Sequence, residues 1–270
     1  MNKNRPVVLS IAGLDPSGGA GIVADIRTIA AFGCFPAAAI TSITYQNTTG
    51  VFGAVHQTAD VLLSQIQPII DDSEIASVKT GMLPSAEIVD AVARLVSTQK
   101  LPMPIVDPVM VSTSGHDLID AEALSILKGR LLQQARLVTP NIPEAERLTG
   151  QAIRNEADMR NAAQRIRELG PRAVLVKGGH GGPRNAEKGL DEAIDVLLDE
   201  EENFHVFRAE YFEVGEVHGS GCTLSAAIAA CLALGMSLQS AVGEAKQFVS
   251  EAIRSSEPTG QGARTLFGVR

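Results

Sequence analysis

Short β-type runs alternate with amphipathic helical stretches along most of this chain, and few fold classes can absorb that rhythm. Val7–Ala12 reads as a buried strand closed by Gly13. Gly21–Phe32 reads as a helix with Ile22, Ile26 and Ile29 on one face and Gly33 as its stop. The same reasoning predicts strands at Phe35–Thr44, Ala76–Thr80, Pro104–Val109, Arg136–Thr139 and Ala173–Lys177. It predicts helices at Asp60–Asp71, Pro84–Thr98, Asp120–Gln134 and Asn155–Leu169, the last capped by Asn155. Two further β-type runs, Ala193–Leu198 and Phe204–Ala209, flank the acidic turn Asp199–Asn203 and read as a hairpin. Ser225–Leu234 and Leu238–Ile253 read as closing helices. Strands alternating with helices form βαβ units, so the expected fold class is α/β, a mostly parallel central sheet with helices on both faces in three αβα layers. No repeat, linker or low-complexity block interrupts residues 1–270, and one domain is expected. Its end, Ser255–Arg270, is rich in Gly, Pro, Thr and Ser and is expected to be a mobile tail or to order only around a ligand.

Bulk properties narrow the function. A net charge of −8 argues against a sequence-independent nucleic-acid binder, while leaving room for a local basic pocket. Cys34, Cys222 and Cys231 form an odd set without metal-type spacing, so neither a disulfide framework nor a zinc site is indicated. The apolar run that ends at Gly13 is strand-sized and no cleavage pattern follows it. The stretch Ser225–Met236 is too short to span a bilayer. A cytoplasmic location with no membrane partner is the expectation.

Polar and glycine-rich residues gather after the strands, at Gly13–Gly21, Tyr45–Gly50, Lys79–Leu83, Asp107–Gly115, Thr139–Glu144 and Lys177–Gly182. Open α/β sheets bind ligands beyond the carboxyl ends of their strands, which brings these loops to one cleft. Near the end of the chain, His218-Gly219-Ser220-Gly221-Cys222 pours a glycine-rich turn into a helix start. Free N–H groups there favour an anion such as a transferring phosphate. The same position is expected to lower the pKa of Cys222, unless this is a glycine-rich turn around a buried structural cysteine. No G-x-x-x-x-G-K-[ST], G-x-S-x-G or H-E-x-x-H motif is present, and Leu224 stands where a G-x-G-x-x-G fingerprint needs its third glycine.

As a set, the motifs closely resemble the hydroxymethylpyrimidine/phosphomethylpyrimidine kinases of thiamine biosynthesis, members of the ribokinase-like superfamily. The resemblance runs in order through Ala12–Ile22, Gln46-Asn47-Thr48, Lys79–Met82, Asp107–Met110, Thr139–Glu144, Lys177-Gly178-Gly179-His180 and His218–Ser225. It implies a ribokinase-like fold, ATP and Mg²⁺ as cofactors, and phosphorylation of 4-amino-5-hydroxymethyl-2-methylpyrimidine and then of its monophosphate. A homodimer is in keeping with the superfamily.

The resemblance also assigns roles. Gln46 matches the position that recognises the pyrimidine, a carboxamide offering one acceptor and two donors to an aminopyrimidine edge, with a turn role as the alternative. Gly13, Ala20, Asp25, Met82 and Val109 match positions lining the same pocket. For Met82 and Val109 core packing competes, and for Asp25 a place in the first turn of a helix. Asn141 and Glu144 match an N-x-x-E motif associated with Mg²⁺ and phosphate, and Asp107 is a further metal candidate. Lys177, Gly179, Asn141 and Thr223 fall on the nucleotide side. Gly219, Ser220, Gly221 and Cys222 match the anion hole, with Cys222 where most of the superfamily carries an aspartate base. Leu14, Val23, Tyr45 and Glu216-Val217 depart from the family pattern. Two other readings stand beside this one: a pyridoxal or pyridoxine kinase, and a non-catalytic binder of a vitamin precursor.

Overall fold

A computed structural model of the protein describes residues 5–111, 117–179 and 192–267. Among them, nine strands form one sheet in the order β3-β2-β1-β4-β5-β6-β7-β8-β9. Its centre is parallel: β2 (Phe35–Asn47), β1 (Val7–Leu14), β4 (Ile75–Thr80), β5 (Ile105–Val106), β6 (Leu137–Val138) and β7 (Val174–Lys177). One edge is closed by antiparallel β3 (Gly50–His56), the other by the antiparallel pair β8 (Glu192–Leu198) and β9 (Phe204–Glu210). The hairpin expected around Asp199–Asn203 is this last pair.

Strands buried on both faces explain the unbroken apolar runs. In β1, Leu9 and Ile11 join the core on one side of the sheet while Val8 joins the core on the other. In β7, Val174 and Val176 divide from Leu175 in the same way. The first core packs under α2 (Ala59–Asp72), α3 (Ala86–Ser97), α4 (Ala121–Ile126), α5 (Ile142–Thr149) and α6 (Glu156–Arg167). The second packs under α1 (Gly21–Ala31), α7 (Ser220–Ala233) and α8 (Leu238–Arg254). Helix α7 is buried from Thr223 to Leu232, as a helix apolar on all sides must be. Side-chain caps start α2, α3, α6 and α8 at Thr58, Ser85, Asn155 and Ser237.

Four expectations change. β2 runs on to Asn47 and turns into β3, an element hidden because a bulge between Tyr45 and Gln46 breaks the period-2 pattern. The helix expected over Asp120–Gln134 is α only to Ile126, then passes through a π turn (Leu127–Leu131) and a 3₁₀ turn (Leu132–Gln134). Helix α7 starts at Ser220 rather than Ser225, so the glycine turn is itself the first helical turn. The supposed mobile tail is tied down as far as it is described: β11 (Arg264–Thr265) pairs with β10 (Val217–His218), and Leu266 is buried. Residues 268–270, His180 and much of the expected loops at 107–115 and 177–182 lie outside the described residues. Among the described residues no helix is long and apolar enough to cross a membrane.

Candidate active site

The carboxyl ends of the parallel strands open onto two cavities that meet. The first, about 210 Å³, is lined by Gly13, Ala20, Gln46, Met82, Val109 and Cys222 among others. The second, about 710 Å³, lies toward Gly179, Asp195 and Lys246. Both are lined by Asn141, Glu144, Lys177, Ser220 and Gly221, which therefore form the junction.

At the junction stands the amino terminus of α7. Its N-cap, Gly219, is left-handed at φ +83°, and a Cβ there would lie 1.9 Å from the Gly19 carbonyl oxygen. Only glycine satisfies both constraints. The first ladder bond runs from the Thr223 N–H to the Gly219 carbonyl at 2.9 Å, so the N–H groups of Ser220, Gly221 and Cys222 precede the ladder. Those donors and the positive helix end offer a place where an anion can be held.

The charged groups around it are buried. Lys177 Nζ donates to Asp107 Oδ1 at 2.7 Å, and Asp107 also receives Thr139 Oγ1 at 3.1 Å and Ser225 Oγ at 3.2 Å. Burial would raise the Asp107 pKa, but Lys177 and Lys79 outweigh it and hold the carboxyl below its ordinary value. Asp107 in turn keeps Lys177 above the usual lysine range despite burial. Glu144 completes a capping box at the start of α5: its Oε2 accepts the Asn141 N–H at 2.8 Å, while Asn141 Oδ1 accepts the Glu144 N–H at 2.9 Å. Burial lifts its pKa to about 7, with Lys177 opposing and Asp107 adding to the rise.

Cys222 reverses the expectation of a depressed pKa. Burial drives the thiol up to about 11; the Lys79 ammonium pulls it down, and Asp25 and Asp107 push it back. A helix amino terminus supplies only partial charge, less than desolvation of a thiolate costs in this setting.

Most of the expected site residues reach the cavities. Gly13, Ala20, Gln46, Met82, Val109, Asp107 and Gly219–Cys222 line the first, and Gly179 the second. Asp25 does not. It is fully buried behind the cavity floor, where its carboxylate takes Lys79 Nζ at 2.8 and 3.0 Å and Ser10 Oγ at 2.5 Å. Thr223 is buried within α7 and lines neither cavity; its backbone closes the first turn. Sequence reasoning passed over Asp15 and His218, which line the first cavity and bond at 2.9 Å. Asp15 also receives the Ser17 and Ala20 N–H groups and the Ser17 hydroxyl; against burial, the bond to His218 and then those from Ser17 hold its pKa down. The turn signature Asp15-Pro16-Ser17-Gly18 was the available signal.

The donor set suits a cation carried in with phosphates. Among the described residues no three His, Cys, Asp or Glu side chains converge as a metal cage. Asp107 is committed to three donors, and Glu144 to the N–H groups of Asn141 and Met110. Spare lone pairs on Glu144 can reach Mg²⁺ through water, in keeping with an ion that retains its waters and is bound mainly by phosphate.

Residues 15–266 match the family described as phosphomethylpyrimidine kinase. The chain belongs to this family. A hydroxymethylpyrimidine/phosphomethylpyrimidine kinase of Streptomyces coelicolor is 41% identical over 95% of this chain and 92% of its own. The thiamine biosynthesis bifunctional protein ThiED of Geobacter sulfurreducens is 43% identical over 96% of this chain, which spans about half (51%) of that longer protein. Among solved structures, an ADP complex of Bacillus subtilis pyridoxal kinase is similar with a TM-score of 0.88 and 32% identity, over 98% of both chains. Phosphomethylpyrimidine kinase from Clostridium difficile is similar at 0.79 and 39% identity, over 92% of this chain and all of that one.

Proposed function

We propose that this chain is a cytoplasmic ATP- and Mg²⁺-dependent kinase that phosphorylates 4-amino-5-hydroxymethyl-2-methylpyrimidine and then its monophosphate, in thiamine biosynthesis. The observation that carries the reading is the pair of cavities meeting at the amino terminus of α7. One is small and carries a carboxamide, Gln46; the other is larger and carries the cations Lys177 and Lys246. An acceptor ring in the first and a nucleotide in the second bring a hydroxymethyl oxygen and a terminal phosphate together at Ser220–Cys222. The donors of α7 take the charge that develops on the transferring group, and Lys177 adds a point charge beside it. Bound Mg²⁺ supplies charge neutralisation on the nucleotide phosphates. Glu144 and Asn141 are the residues that would hold it, through water.

Cys222 faces the acceptor side of the junction. At pH 7 a pKa of about 11 leaves about one thiolate in ten thousand. Phosphoryl transfer is loose and needs little deprotonation before the transition state, so the rate rests mainly on the anion hole. Cys222 accepts the acceptor proton only in its thiolate form, which rising pH populates.

A pyridoxal kinase is the second reading, favoured by the similarity to the Bacillus subtilis pyridoxal kinase structure. ADP release with Mg·ATP separates the two when hydroxymethylpyrimidine, its monophosphate, pyridoxal and no acceptor are compared. Turnover on both pyrimidines is expected. Turnover on pyridoxal alone overturns the substrate, and tight ligand binding without any turnover overturns the kinase.

A further inference from the structure

The chemistry above uses strand ends and α7, and leaves unused the segment that follows α8. Ser256–Phe267 nevertheless crosses three of the segments that wall the acceptor cavity. At the β2–β3 turn, the Ala263 N–H donates to the Thr48 carbonyl at 2.8 Å and the Gly262 N–H to Thr48 Oγ1 at 3.3 Å. Beside the anion hole, Thr265 pairs with His218, and the Arg264 N–H donates to the Glu216 carbonyl at 2.9 Å. Behind the loop after β1, Arg27 Nη2 donates to the carbonyls of Gly18 at 2.6 Å and Leu266 at 3.4 Å. The segment is braced across its own loop by Arg264 Nη1 on the Ser256 carbonyl at 2.6 Å.

Within itself the turn it grips is held by the Asn47–Gly50 pair and by Asn47 Oδ1, which accepts the Thr49 N–H at 2.8 Å and the Thr49 hydroxyl at 2.7 Å; these bonds close the turn but do not tie it to the rest of the site. β3 is an edge strand, and the β2–β3 ladder is bulged at Tyr45/Gln46, just where Gln46 lines the cavity. Edge hairpins open at low cost, whereas reading a ring by hydrogen bonds demands placement to a fraction of an ångström. We infer that Ser256–Phe267 is a specificity-determining strap for the acceptor: by fixing Thr48, two residues past Gln46, it sets where the Gln46 carboxamide meets the ring. The inference rests on the reading of Gln46 as the acceptor-facing group. Gly262 is its tightest point, since a Cβ there would lie 1.9 Å from the Thr48 carbonyl oxygen.

Gly262→Val forces the strap off Thr48 without touching a residue of the junction. Calorimetry with hydroxymethylpyrimidine should show acceptor affinity falling at least tenfold, with ADP affinity within twofold of wild type. In a Gln46→Ala background the same replacement should cost less than twofold, a loss of coupling that general damage would not produce. Hydrogen exchange at residues 46–51 should quicken at least tenfold while α3 is unchanged. Thr48→Val, which removes only the side-chain acceptor, should shift affinity about threefold in the same direction and serves if Gly262→Val does not fold. Unchanged acceptor affinity, or a penalty as large without Gln46 as with it, overturns the strap. Wild-type protein without affinity for the pyrimidine overturns the substrate reading instead; the strap then stands or falls on the exchange at residues 46–51.

Discussion

Replacing Lys79 by methionine tests whether the charge beneath the acceptor cavity is structural. Lys79 and Asp25 are both 0% exposed, and the ammonium lies 2.8 Å from the carboxylate. Burial alone would lower the lysine pKa, but Asp25 and the negative groups nearby carry it above the ordinary range. Lys79→Met keeps the length of the side chain and strands a carboxylate with Ser10 as its remaining donor. Removing one partner of a buried pair costs about 3–5 kcal/mol. An unfolding entropy of about 2.1 cal/mol/K per residue gives about 0.57 kcal/mol/K for a chain of 270 residues, hence a fall in Tm of about 5–9 °C. Urea unfolding of wild type, Lys79→Met and Lys79→Met/Asp25→Asn measures it. The double variant removes both charges of this pair and should recover about 2 kcal/mol of the loss. The pH dependence has a definite sign. Without its cation the buried Asp25 carboxyl has a pKa raised above its unfolded value, so the folded state gains a proton as pH falls. The deficit is then full at pH 8 and shrinks toward pH 5. A single variant within about 1 kcal/mol of wild type, or a double variant no more stable than the single, refutes the reasoning.

Three further outcomes bear on the junction. Cys222→Ala should lower kcat at least about tenfold in an ADP-release assay while leaving acceptor affinity within about twofold; retained turnover removes Cys222 from the chemistry. With a thiol pKa of about 11, alkylation of Cys222 followed by mass spectrometry should quicken about tenfold per pH unit from pH 7 to 9, and kcat should rise over the same window; a plateau in both contradicts the burial effect. Lys177→Met should cut kcat/KM for ATP at least about a hundredfold, as loss of a charge-assisted phosphate contact implies, with acceptor affinity measured by calorimetry little changed.

The fold was legible because burial writes itself into β1 and β7 as unbroken apolar runs and into α3 and α6 as amphipathic ones. What escaped has local physical causes. β3 was lost to a bulge that skips Phe52 and to an outward face that leaves Phe52 and Val55 exposed, so neither alternation nor a continuous apolar run marks it. Helix α5 spans eight residues, too short for a period, although its Asn141–Glu144 capping box was in view. At the site, residue type and motif order brought Gln46, Asn141, Glu144, Lys177 and Gly219–Cys222 to one place. Depth was not legible. Thr223 follows the cavity-lining Cys222 and is turned onto another face of its helix, while Asp25, four residues past Gly21, is drawn beneath the floor by Lys79 and Ser10. The Cys222 pKa erred for the same reason: the helix position is a property of sequence, and desolvation of the thiol is not.

Depth also separates the two lysines that the motifs place side by side. Lys79 is the next-to-last residue of β4 and Lys177 the last of β7, and each pairs with an aspartate at under 3 Å. Asp107 keeps Thr139 and Ser225 as donors when Lys177 moves away, so an arriving phosphate can draw Lys177 over without stranding a bare carboxylate. Asp25 would keep only the Ser10 hydroxyl for a fully buried charge, and Lys79 lines neither cavity. The same ammonium is therefore exchangeable at the junction and fixed beneath it. Lys177, with 11% of its side chain exposed, can serve the nucleotide; Lys79, with none, contributes only its field and its place in the floor.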